Sequence, residues 1–162
     1  MKDVYGSTWT LQLMIGFILL FVTFLTLTIT YSKVFKVKNE VISIIEKYQG
    51  FTDNSAELIN NYLRNSKYMT MGRCLDANYN TSNPMLAVDN YSNSNASNAV
   101  TNERYFYCIE KKRKQGYNDS LARINYEVTL FYSFNVPILG DIATFRVKGK
   151  TTDMIDRTDQ FN

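Results

Sequence analysis

The chain contains no histidine in its 162 residues. That removes the commonest general base, the commonest metal ligand and every Ser-His or Cys-His nucleophile arrangement. No phosphate loop, nucleotide fingerprint, CxxC pair or carboxylate dyad is visible either. The expectation is therefore a protein without a cofactor that is not an enzyme. Excess charge is also lacking, the formal net charge being +3, so nucleic acid is not expected as a partner unless basic residues cluster. Cysteine is scarce: Cys74 and Cys108 are the only two. Two readings stand, one disulfide stapling a small domain in an oxidising compartment, or two unrelated buried thiols. Finally, no charged residue occurs between Ser7 and Ser32.

That last absence frames what is there. Leu11 to Ile29 forms an apolar run of about 19 residues, enough at roughly 1.5 Å per residue to cross a bilayer core of roughly 30 Å. A secretory signal would be shorter and followed by a small-residue cleavage site, whereas this run ends in Tyr31-Ser32-Lys33. The segment reads as a retained membrane anchor. Gln12 and the threonines at 23, 26, 28 and 30 can bond within the helix or to a neighbour, and Gly16 permits close approach. Its orientation is contested. Lys33, Lys36 and Lys38 would hold the following domain in the cytoplasm, whereas a disulfide would place it outside.

Beyond the span the helical period continues. Val34, Val37, Val41, Ile44, Ile45 and Tyr48 make one apolar stripe, and Gly50 is the expected stop. Thr52 to Ser55 offers caps for a second, short helix carrying Leu58, Ile59, Tyr62 and Leu63 and ending near Ser66. A first strand is expected over Tyr68 to Leu75, then polar residues, and an Asn/Ser-rich surface loop from Asp89 to Asn102. "RYFYCIE" is the second strand. "INYEVTLFYSFNV" is the strongest, with Ile124, Tyr126, Val128, Leu130, Tyr132, Phe134 and Val136 alternating before Pro137. After a Pro-Gly turn, "IATFRVKGKTT" returns with Arg146, Lys148 and Lys150 on its other face. The expected fold is α+β, a long transmembrane-amphipathic helix packed on a small antiparallel sheet of three or four strands. Its parts are a short N-terminal segment at 1–10, a transmembrane helix at 11–30, an amphipathic stem at 31–50 and an α+β domain at 51–162.

This order of parts resembles the pilin-like proteins of the type IV pilus superfamily, in particular the TadE-like minor pilins and pseudopilins of Tad-type pilus and secretion systems. The resembling features are the near-N-terminal span from Leu11, the uninterrupted helix to about Tyr48, and the closing "YEVTLFYSFNVPILGDIATFRVKGKTT". The resemblance implies a structural subunit that assembles through its helix, with Leu11, Gly16, Phe17 and the stem residues Val34, Val37, Val41, Ile44, Ile45 and Tyr48 on the packing surface. Its implied partners are membrane lipid, other pilin-like subunits and assembly-platform proteins. It also implies a prepilin cleavage position between Gly6 and Ser7. Against cleavage, Leu11 stands where the family carries a Glu, and the leader "MKDVYG" is barely basic.

Three further features stand out along the chain. "KKRK", Lys111, Lys112, Arg113 and Lys114, reads as a solvated hairpin turn or as a contact for an anionic surface such as lipid headgroups. Asp153, Asp156 and Asp159 could ligate a hard cation, but a solvated tail is the expectation. Four N-glycosylation triplets, beginning at Asn80, Asn90, Asn95 and Asn118, are assigned no function in so Asn-rich a chain.

Overall fold

A computed structural model describes residues 2–74, 85–90, 96–100, 102–114, 123–136 and 140–155. The alternating strands and the 3.6-period stripe resolve into an α+β fold. Helix α1 spans Lys2–Lys47, α2 Asp53–Asn65, and six strands follow: β1 Met85–Val88, β2 Ser97–Asn98, β3 Tyr107–Lys114, β4 Arg123–Val136, β5 Gly140–Lys150 and β6 Met154–Ile155. The sheet is antiparallel in the order β2-β1-β3-β4-β5, with β6 pairing β4 beyond the end of β5. Residues 1–10 are continuous with α1 from Lys2 onward.

Both helices end the same way, and the ends differ in detail from expectation. After α1 the left-handed position is taken by Gln49 at φ 54°, with Gly50 following, and the Gly50 N–H donates to the Ile45 carbonyl at 3.0 Å. After α2, Lys67 at φ 53° does the same and Tyr68 N–H donates to Leu63. These bonds satisfy carbonyls that a helix end leaves unpaired. The start of α2 is a reciprocal cap: the Thr52 N–H donates to Ser55 Oγ at 2.8 Å and the Ser55 N–H to Thr52 Oγ1.

The core lies between α1, α2 and one face of the sheet. Val34, Val37, Val41 and Ile45 of α1 pack with Ile59 and Leu63 of α2 and with Tyr107, Ile109, Ile124, Tyr126, Val128 and Leu130. Complete burial of an aliphatic side chain of this size is worth roughly 1.5–3 kcal/mol. Ile44 is only half-buried and Tyr48 is exposed, because the sheet covers the stripe's other flank at Ile42. Gly149 lets α1 sit directly on β5, since a Cβ there would lie 2.6 Å from Ile42 Cδ1.

Two expected elements differ. Residues from Tyr68 to Cys74 form an irregular arm instead of a strand, with a single bridge from Gly72 to Tyr105. "KKRK" is the last half of β3, paired with β4 through Arg123, and not a turn. A run of four basic residues is tolerated there because alternate side chains leave on opposite faces. β1, which pairs with β3, was not expected from the sequence, nor were the two-residue strands β2 and β6. Phe134 and Val136 lie in β4, though their side chains are outside the described residues, as are Leu75, the polar run after it and the turn at Pro137.

Candidate functional site

The apolar run of α1 is long and apolar enough to cross a membrane, and its most apolar stretch has no residue buried by the rest of the chain. Leu11 and Phe17 are exposed, and nothing lies within 4 Å of the position a Gly16 Cβ would take. The threonines of the span are satisfied internally. Thr23, Thr26, Thr28 and Thr30 each donate from Oγ1 to the carbonyl four residues earlier at 2.8–2.9 Å. Such bonds let hydroxyls sit in an apolar medium without a neighbour.

The stem differs from the span. Its stripe, Val34, Val37, Val41 and Ile45, is occupied by the chain's own sheet. Of the residues that the resemblance puts on an assembly surface, only Leu11, Gly16 and Phe17, together with Tyr48 and one side of Ile44, face outward. Gly6 and Ser7 lie within the helical backbone of α1, and their side chains are outside the described residues.

An aromatic group marks the junction of span and domain. The Tyr31 ring meets Phe35 at 6.3 Å and Tyr132 at 6.4 Å, Tyr132 stacks on Phe145 at 5.1 Å, and Lys38 Nζ lies 4.0 Å over Phe35. Amphipathic rings and a lysine at the end of an apolar run suit a membrane-water interface. β4 runs back toward this junction, since Val128 is level with Gly149 over Lys38 and Ile42, and Tyr132 is level with Tyr31. The backbone of β4 goes on to Val136 and that of β5 starts at Gly140. Four more strand residues amount to roughly 13 Å, so the paired ends of β4 and β5 extend along the last turns of the span. On that face of α1, Thr30, Thr26 and Thr23 are half-buried.

The sheet face turned away from α1 carries the charge. Glu127, 7% exposed, is its hub: Lys112 Nζ approaches at 2.7 Å, Lys148 at 3.4 Å and Lys150 at 3.8 Å. Burial pushes its carboxyl up, but the hydrogen bond and charge of Lys112, aided by Lys148, outweigh this and hold it below the usual carboxylate range. The same bond raises Lys112. Lys114 and Asn125 bind Asp153, which therefore belongs to this face and not to a free tail, while Asp156 and Asp159 lie outside the described residues. The basic run is thus divided: Lys112 and Lys114 pair with carboxylates here, and Lys111 and Arg113 lie on the opposite face.

Cys74 and Cys108 form a disulfide, with Cα atoms 5.7 Å apart. It pins the arm to β3 and, with Ala87, Tyr105 and Phe131, makes a second small core on this outer face. Beside it, Gly72, Arg73, Arg104, Phe131, Thr144 and Arg146 line an open cleft of about 280 Å³. Sequence reasoning missed this cleft because its arginines come from three distant segments. Comparison with protein-family models, with curated proteins and with solved structures returns no match.

Proposed function

We propose that the chain is a membrane-anchored, pilin-like structural subunit of a pilus or secretion assembly, acting by helix-helix packing in the bilayer. The observation that carries this reading is the division of α1: the stripe of its second half is covered by the chain's own sheet, while the large apolar side chains from Trp9 to Ile29 are exposed, only Thr23, Thr26 and Thr30 being half-buried. Packing in lipid relies on close van der Waals fit, for which Gly16 leaves space between Gln12 and Leu20. The disulfide supports a domain outside the cytoplasmic membrane, since such bonds persist in oxidising compartments.

A photo-crosslinking residue placed at Phe17, with a second at exposed Lys47 as control, tests assembly in native membranes. The proposal expects subunit-subunit adducts from position 17 and few from 47. Adducts to lipid alone would reject it, leaving a single-span protein whose domain binds a ligand and does not polymerise. The arginine-lined cleft is the observation that favours that second reading.

A further inference from the structure

On the outer face of the sheet, cations come in two environments. Those around Glu127 and Asp153 are matched by carboxylates. Among the described residues that line the cleft beside the disulfide, three of six are arginines and none is acidic. The bridge between Gly72 and Tyr105 is antiparallel, with N–H to carbonyl bonds of 2.9 and 2.8 Å in both directions. It sets Arg73 and Arg104, one residue further along each arm, across from one another. Like charges so placed repel and destabilise the pair. Among the described residues, no carboxylate pairs with Arg73 or Arg104. Arg146 reaches the same cleft from β5, where it lies opposite Phe131.

The arrangement is tied at several points. Gly72 backs closely onto the Phe131 ring, where a Cβ would lie 2.2 Å from it, the disulfide ties residue 74 to β3, and the Tyr105 hydroxyl donates to Glu103 at 2.7 Å while accepting from the Val100 N–H. Three planar guanidinium groups on a fixed floor, with the Thr144 hydroxyl beside them, can hold a tetrahedral oxyanion through several charge-assisted bonds.

Its height selects the anion. Arg146 is one strand step, roughly 3 Å, from Phe145, which stacks on Tyr132, which meets Tyr31 at the end of the apolar run. Headgroups occupy the ~5–8 Å beyond the hydrocarbon core. We propose that the Arg73, Arg104 and Arg146 cleft binds a phosphate ester, that of an anionic phospholipid headgroup in the leaflet on the domain's side of the membrane. This rests on the membrane-spanning part of the reading above and not on polymerisation.

The test uses the full chain in neutral detergent micelles, titrated with phosphatidylglycerol and followed by native mass spectrometry. The wild type is expected to retain one lipid that the triple variant Arg73→Gln, Arg104→Gln, Arg146→Gln holds about tenfold or more weakly. Arg146→Lys, which keeps charge but loses the planar fork, is expected to fall between them. Lys111→Gln with Arg113→Gln, on the opposite face, is expected to bind as the wild type does. A narrow, low charge-state distribution reports that each variant is folded, and the mass lower by two hydrogens reports the disulfide. Glycerol 3-phosphate is the second arm: displacement of the lipid at millimolar concentration assigns recognition to the phosphate ester alone, and no displacement assigns it to the lipid in place. Both outcomes uphold the site. Equal lipid retention by the wild type and the triple variant overturns it, and because micelles separate subunits, that result is independent of the crosslinking test of assembly.

Discussion

The Tyr68 hydroxyl donates a hydrogen bond to the Phe131 carbonyl and accepts one from the Phe131 N–H at 2.7 Å. β3 reaches β4 only as far as Leu130, opposite Tyr107, so the next residue of β4 has no strand partner on that side. One phenol from the irregular arm supplies both missing bonds. Burial pushes the Tyr68 hydroxyl well above its ordinary pKa, so it remains a donor throughout the working range.

Tyr68→Phe is therefore expected to leave two buried backbone groups unpaired, at a cost of about 1–3 kcal/mol. Chemical denaturation of the full chain in micelles checks this. A change under half of the lower figure would mean that water reaches Phe131 and replaces the phenol.

Gly72 and Gly149 both allow close approach, but with different neighbours. A Cβ at 72 would lie 2.2 Å from the Phe131 ring, which the Tyr68 bonds hold in place, whereas at 149 it meets the flexible ends of Ile42 and Lys38. Gly72→Ala is expected to destabilise by about 1–3 kcal/mol and Gly149→Ala by less. The reverse order in parallel unfolding curves would contradict this account of the arm.

Reduction of Cys74–Cys108, or the double change to Ser, opens a loop with a sequence separation of 34. The expected loss is about 3–4 kcal/mol on the chain-entropy view. It should loosen the Tyr68 to Cys74 arm first, so amide exchange at Gly72 and Tyr105 ought to rise before exchange in β4. Uniform acceleration across the sheet would show that the bridge instead supports the whole fold.

Glu127 makes stability sensitive to acid. Its folded pKa is depressed, so its contribution is complete above the unfolded carboxylate value, about 4.3, and is lost as pH falls through the lower folded one. Its lysine partners are largely solvated, which limits the effect to about 1 kcal/mol. A melting series from pH 6 to 2 should show a smaller acid loss for Glu127→Gln than for the wild type. Identical slopes would remove Glu127 from the acid transition.

By itself, the sequence determined the elements whose signal is local and periodic. The charge-free run from Ser7 to Ser32, the stripe from Val34 to Ile45, the caps at Thr52 and Ser55, and the alternation through β4 each repeat one physical requirement along the chain. Tertiary structure decided what depends on residues far apart. The arm from Tyr68 to Cys74 has the composition of a strand, yet its hydrogen bonds go to Phe131 and Tyr105, which only the folded sheet brings near. The basic run reads as a turn because four successive cations end the apolar character of the strand before it; pairing with β4 makes it strand and sends its side chains to opposite faces. Arg73 and Arg104 carried no signal, and Arg146 read only as part of a polar strand face: isolated arginines are ordinary, and their meaning arises when a bridge, a disulfide and a strand register bring three of them to one cleft.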